Sequence, residues 1–315
     1  MKKTAFKILL LICLSLILDQ GIGSWIGALH RKDPRNSLWR AIENKSRIVF
    51  LGSSRDKHGI IPKIIEEKTG LSAYNGAFDG AGMVYIRGAE AFLVSHYQPE
   101  WLVISVIHLD QERGDIRKLA PYLPEPAVQK LLAGYPWQVR LKYGWFKTPR
   151  YNSMFLKWVK RRFEGPDSRA GYEPFYGKAP EMIPDAGPLP GAVPEFKQGE
   201  ELLKELVTEI RRHGIKPAFL ELPTGREKSS MSYFVFRDLA KKESVPFLDF
   251  SKGGADDLFL PEDCFFEEGH LNDRGARLFS QGLAGKLAEL AASSSPNAFV
   301  GDHRARGFPP KTMRE

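Results

Sequence analysis

The sequence predicts an α/β protein: one parallel sheet with helices on both faces, split by a basic insertion and preceded by a membrane-anchoring segment. Three observations predict it. Short β-branched or aromatic runs alternate with longer helical stretches at βαβ spacing. The alternation breaks between about 113 and 196, where Pro, Gly, aromatic and basic residues crowd together, and then resumes. A lysine-led apolar run opens the chain. With 43% hydrophobic and 27% charged residues among 315, the chain has material for a real core. Disorder, collagen and a polytopic membrane protein are excluded as the overall class.

In the opening segment, Lys2, Lys3 and Lys7 precede the apolar run Ile8–Leu18, which Asp19 closes. A run of eleven residues is short of the roughly 20 that span a bilayer, but hydrophobicity resumes at Ile22–Leu29 and no A-x-A cleavage site appears. The expectation is an uncleaved signal-anchor over 1–30, with the rest exported. Cys13 follows Ile12, where a lipoprotein site wants a small residue. With Cys13 in the anchor, Cys264 has no obvious disulfide partner, and two cysteines exclude a disulfide-stapled fold and a Cys-rich zinc module.

The elements follow in order. Ser46–Leu51 reads as a buried strand stopped by Gly52-Ser53-Ser54, and Ile60–Thr69 as a helix ended at Gly70. Ser72–Tyr74 is a second strand running into the glycine-rich turn 75–82. Val84–His96 is helical, and Trp101–Ile107 is a third strand. After the insertion come an amphipathic helix Phe196–His213, a strand Pro217–Leu222, a helix Tyr233–Lys242, a strand Pro246–Phe250 and a last helix Gly275–Ala292. The Ser/Pro/Arg-rich tail 293–315 has too few apolar residues to pack and is expected to be disordered. The α/β domain is thus expected over 31–112 plus 197–292, with 113–196 as the insertion.

Ligands of open parallel sheets gather at the carboxyl ends of the strands. Ser54 sits there at a strand-to-helix turn. His270 can take its proton and Glu267 can hold the imidazole tautomer, giving nucleophile, acid and base in the chain order Ser…acid…His. Helix capping accounts for Gly-Ser-Ser and for His-Leu-Asn separately; their joint occurrence at the right ends of a βαβ pattern favours catalysis. No phosphate loop, H-E-x-x-H or metal-ligand cluster is evident, so no cofactor and no metal are expected. The G-x-S-x-G elbow is not matched, because Asp56 follows Arg55.

These residues resemble the blocks of the SGNH (GDSL-type) hydrolase superfamily. Gly52-Ser53-Ser54 is similar to its Gly-Asp-Ser block, with Ser53 in place of Asp. Glu267-x-x-His270-Leu271-Asn272-x-x-Gly275 is similar to the final Asp-x-x-His block, with a longer acid. Asn75–Gly80 resembles the second block, whose glycine N–H lines the oxyanion hole, Gly80 matching better than Gly76. The third block, Gly-x-Asn-Asp, is absent: Ile107–Asp110 reads IHLD, with Leu109 where the Asn belongs and His108 as the neighbouring candidate donor. The resemblance spans about 46–112 and 197–292. It implies a three-layer, flavodoxin-like SGNH fold and a cofactor-free serine mechanism with Ser54 and Gly80 N–H groups as oxyanion donors. Its membrane-anchored envelope branch, which acts beside polysaccharide O-acetylation and teichoic-acid D-alanylation machinery, is the most similar.

The net charge of +8 is concentrated: residues 113–164 hold twelve Lys/Arg against three Asp/Glu, and the remainder is close to neutral. A nucleic-acid role is disfavoured on that distribution. Two uses of the insertion stay open. Trp137, Trp145 and Arg150 suit docking of an anionic or lipid-linked glycan; equally, Trp/Tyr with Lys/Arg is the composition of a segment lying on a membrane surface. The expected activity is O-acyl transfer or ester hydrolysis on a cell-surface polysaccharide, the acyl donor arriving from a multispanning membrane acyltransferase. The alternative is a silent, glycan-binding or assembly subunit of the same system.

Overall fold

A computed structural model describes residues 2–32, 37–107, 109, 115–151, 170–179, 196–224, 231–258, 260–267 and 269–293. His108 and the tail from 294 onward lie outside the described residues.

Five parallel strands form the centre: β1 (Ile48–Leu51), β2 (Ala73–Asn75), β3 (Trp101–Ser105), β4 (Lys216–Glu221) and β5 (Phe247–Asp249), in the order β2-β1-β3-β4-β5. That order reverses direction at β1, so the crevice beside its carboxyl end is the topological switch point of the sheet. Strand residues alternate between two cores. Val49, Leu51, Leu102, Ile104 and Phe219 face one side, and Ile48, Phe50, Val103, Ala218 and Leu220 face the other. With both faces covered, the strands read as continuous apolar runs rather than alternating ones.

The first face is covered by α2 (Leu38–Glu43), α5 (Met83–Val94), α9 (Phe196–Arg212) and α10 (Met231–Glu243). The other is covered by α4 (Pro62–Thr69) and α11 (Asp273–Ser293), where Ile65 meets Phe279, Leu283 and Leu287. Local chemistry sets the ends of these helices. Pro62 opens α4, and Gly70 closes it at φ +68°, a left-handed cap that costs glycine little. Asn272 caps α11 by accepting the Gly275 N–H at 3.1 Å.

Ser54–Gly59 forms a short helix, α3, that the sequence reading leaves as a turn. It has almost no apolar residue, so periodicity gives no signal. The chain also folds a small antiparallel hairpin, β6 (Phe265–Glu267) and β7 (His270–Leu271), just before α11. Both elements carry the site described below.

The helix α1 (Lys2–Arg31) is long and apolar enough to cross a membrane, and its first half, including Phe6, Leu11 and Ile17, is exposed. The described part of the insertion divides in two. Residues 115–151 form α6 (Asp115–Leu119), α7 (Pro126–Gln129) and α8 (Trp137–Gly144), joined by 3₁₀ turns. They pack on α5 through Leu119 and Val128, and on α1 through Tyr151, which touches Ile26. Residues 170–179 instead return to the carboxyl ends of the strands. There the Asn75 N–H donates to the Ala170 carbonyl at 2.9 Å.

Candidate active site

The turn that follows β1 builds the site from its backbone outward. Gly52 lies against the Asp56 carboxylate so closely that any Cβ would overlap it, and the Ser53 N–H donates to Asp56 Oδ2 at 2.9 Å. Asp56 is fully buried and also accepts a hydrogen bond from the Ser105 hydroxyl at the end of β3. Burial pushes its carboxyl up to about 6, against the opposing pull of Ser105, Arg55 and the Ser53 N–H. This carboxyl pins the turn, and the turn presents Ser54 as the first residue of α3.

The hairpin brings the other two groups. Ser54 Oγ donates to His270 Nε2 at 2.8 Å, and His270 Nδ1 donates to Glu267 Oε1 at 2.5 Å. The register pairs Glu267 directly with His270 across β6 and β7, so the hairpin itself sets the acid beside the imidazole. The hairpin carries a register irregularity between Phe265 and Glu267. Burial lowers the His270 pKa from its ordinary 6.5, partly offset by Glu267, with His58 and Arg55 adding to the lowering. A base must be neutral to accept the serine proton. Ester cleavage is therefore expected to rise with pH through the His270 ionisation, with a midpoint below 6.5. A kcat/KM profile on an aryl ester measures it, and a midpoint above 7 would show that Glu267 outweighs burial.

Two backbone donors remain for a developing oxyanion. The Ser54 N–H, at the start of α3, and the Gly80 N–H find no acceptor among the described residues. The loop holding Gly80 runs beside the Ser54 turn, since the Phe78 N–H donates to the Gly52 carbonyl at 3.1 Å. Gly80 has φ +61°, which a side chain adopts only with strain, and its carbonyl accepts from the Lys118 ammonium. Gly76 is unsuited to the role, because its N–H is spent on the Phe50 carbonyl at 2.8 Å. Leu109, where the third block has its donor, is packed in the core at 4% exposure.

Sequence reasoning missed the groups behind the imidazole. Lys57 is fully buried and pairs with Asp79 at 3.2 Å and Glu173 at 2.9 Å. His58 lies between two oxygens, with the Glu173 carbonyl 2.6 Å from Nδ1 and Asp79 Oδ1 3.2 Å from Nε2. Burial alone would raise the Asp79 carboxyl, yet the His58 N–H and the Lys57 ammonium hold it well below the usual carboxylate range. Phe175 stacks on His58 at 3.7 Å and on Phe266 at 4.4 Å, and meets His270 edge-on at 5.8 Å. The run of charge Arg55-Asp56-Lys57-His58 straight after Ser54 was the available signal, but only the fold shows that all four are tied down. Arg55 itself bonds Glu221 at 3.0 Å and the Leu222 carbonyl at 2.7 Å.

Phe175 thus lies between His58 and Phe266 with the His270 imidazole edge-on to it. Phe175→Ala is expected to slow ester cleavage by about tenfold or more, since small misplacements of a reacting group are costly. Unaltered kcat in that variant would show Phe175 to be passive.

The three insertion residues singled out as glycan contacts sit elsewhere. Trp137 and Trp145 are exposed at 66% and 74%, and the Trp145 carbonyl accepts from Gln20 of α1. Arg150 is buried, its guanidinium bonded to the Tyr143 carbonyl at 2.7 Å and the Gly144 carbonyl at 2.8 Å, where it closes α8. No group of three or more metal-ligating side chains occurs among the described residues.

No protein-family model matches the sequence, and no curated protein matches it. Solved structures that resemble it include a protein assigned to the G-D-S-L lipolytic family from Desulfitobacterium hafniense DCB-2. The two are 13% identical with a TM-score of 0.39 over 76% of this chain and 98% of that one. A protein assigned as an acylhydrolase from Bacteroides fragilis NCTC 9343 is 13% identical, with a TM-score of 0.37 over 82% and 93%. A GDSL-like lipase from Bacteroides thetaiotaomicron VPI-5482 is 10% identical, with a TM-score of 0.38 over 79% and 90%.

Proposed function

We propose that the protein is a serine acyl-ester hydrolase or O-acyltransferase of the SGNH type, anchored to a membrane by α1 and acting on cell-envelope polysaccharide. The observation that carries the catalytic part is the unbroken relay from Ser54 Oγ through His270 to Glu267, at 2.8 and 2.5 Å. Ser54 Oγ attacks the ester carbonyl while its proton passes to His270 Nε2. The oxyanion is held by the Ser54 and Gly80 N–H groups. The C–O bond breaks, the departing alkoxide takes the proton from Nε2, and the acyl group stays on Ser54. A second hydroxyl then reverses the steps: water completes hydrolysis, a glycan hydroxyl completes transfer. The chemistry asks for no cofactor. In transfer the acyl donor comes from a partner, for which a multispanning membrane acyltransferase is the fitting class.

One observation favours the second reading, a catalytically silent glycan-binding or assembly subunit. Leu109, which stands in the sequence where the third block has its donor Asn, is buried in the core, and loss of one such donor typically costs about 10²–10³ in rate. A fluorophosphonate probe separates the two. Labelling of Ser54 that is lost in His270→Ala supports an activated serine, and an unlabelled wild type together with normal polysaccharide acylation in Ser54→Ala supports the silent subunit. Incubation with an acetylated donor and a glycan then distinguishes free acetate from acetylated glycan.

A further inference from the structure

We infer that α8 is an interfacial membrane helix, which lays its exposed aromatic face on the anionic lipid surface where α1 leaves the bilayer. The inference rests on the anchoring role proposed for α1 and adds a second, independent contact.

Among the described residues the face is unpartnered, and it has helical spacing. Trp137, Leu141 and Trp145 recur every fourth residue and are exposed at 66%, 41% and 74%. Buried Tyr143 holds the other side of the helix to the body. A stripe of two tryptophans and a leucine is too apolar to be left to water without a reason. Its flanks carry Arg140 and Lys142, both exposed, and from Lys130 to Tyr151 the chain holds five basic residues and no acidic one. Aromatic residues backed by Lys/Arg are the chemistry that sits at the boundary of headgroup and acyl chain.

The level of the stripe follows from how α8 is joined to α1. Asp19, which ends the apolar run, accepts the N–H groups of Lys147 at 2.8 Å and Thr148 at 3.0 Å. The Gln20 amide donates to the Trp145 carbonyl at 3.1 Å, and Lys147 Nζ donates to Ser24 Oγ at 2.9 Å. From there the chain climbs α1, with Lys147 against Gly23 and Tyr151 against Gly27. Trp145 is therefore the low end of the climb, beside the point where Phe6–Leu18, exposed and apolar, gives way to polar residues. At 1.5 Å per residue, the helix from Asp19 to His30 spans about 16 Å, and the Trp145 end of α8 is tied to the Asp19 end of that stretch. Residues 170–179, which do reach His58 and His270, carry none of this stripe. The expected consequence is a catalytic domain held at a set height and tilt above the lipid instead of swinging on a single helix.

The test places a nitroxide at position 141 (Leu141→Cys) and, separately, at position 11 (Leu11→Cys), in full-length Cys13→Ser protein; Cys264 is buried. Each protein is reconstituted in nanodiscs containing phosphatidylglycerol, and relaxation by oxygen is compared with relaxation by a water-soluble nickel chelate. Both labels are expected to report lipid. Arg140→Gln with Lys142→Gln should return the label at 141 to water while position 11 stays in lipid. Each basic residue near an anionic surface is worth about fivefold in partitioning, so the pair should cost on the order of 20-fold. Position 11 in lipid with 141 in water would overturn this inference and leave the anchor standing. Water at both positions would overturn the anchor and the inference together. A label at 141 that stays in water and is immobilised only by added sodium alginate would assign the stripe to a glycan instead.

Discussion

Replacing Ser54 by alanine is expected to lower acyl transfer or ester hydrolysis by roughly 10⁴-fold or more, and His270→Ala should be about as damaging. Residues of a relay act as a unit, so removing either removes nearly the whole effect. In cells both variants should abolish polysaccharide acylation while protein abundance stays unchanged. A half-buried serine at a helix start loses little packing on becoming alanine, and such changes usually stay within about 1 kcal/mol. Glu267→Gln should fall between these variants and wild type. Glu267 is 40% exposed, so part of its stabilisation of the imidazolium is shared with water. Full acylation in the Ser54→Ala strain would end the enzymatic reading.

A large structural effect is expected at Gly275. A Cβ there would stand 2.1 Å from the Cys264 carbonyl oxygen, in the first turn of α11. Backbone cannot yield as a side-chain tip does, so Gly275→Ala must push α11 away from the segment that feeds the β6/β7 hairpin. The same carbonyl accepts the Asn272 N–H at 3.0 Å, so the cap of α11 is strained as well. We expect a loss of about 2–3 kcal/mol and a melting temperature lower by roughly 5–10 °C. Esterase activity should fall with it, because the hairpin carries both Glu267 and His270. Gly285→Ala in the same helix is the control: the nearest atom to its Cβ is the mobile Lys68 ammonium at 3.5 Å. An unchanged melting temperature for Gly275→Ala would show that the hairpin, rather than the helix, absorbs the contact.

Much of the framework was legible in the chain because it rests on local rules. Apolar runs such as Ile48–Leu51 and Trp101–Ser105, stopped by glycine or polar residues, specify buried parallel strands wherever they occur. The helices around them follow from apolar spacing, Pro62 and Gly70. Ser54 and His270 were readable for a related reason: the carboxyl end of a buried strand and the start of a helix are positions that a sequence marks, and their contact across 216 positions of chain follows once the sheet order is set.

Other features have no local signature. Lys57, His58 and Asp56 look like a solvated charge run, yet Glu173 gives Lys57 and His58 fixed partners while the Ser53 N–H and the Ser105 hydroxyl fix Asp56. Gly76 and Gly80 are alike as letters. The hydrogen bond to the Phe50 carbonyl removes one from candidacy and leaves the other. Arg150 and Trp145 carry the same basic-aromatic flavour, yet one closes a helix and the other faces outward, because Asp19 of α1 fixes where that segment lands. What the sequence determined by itself was the layering of the sheet and the candidate groups Ser54, Glu267 and His270, which depend on neighbours a few residues away. What only the tertiary structure decided was which donors are spent, which charges are buried and what surrounds the imidazole. Those depend on contacts between distant segments, whose polar groups must find partners once water is excluded.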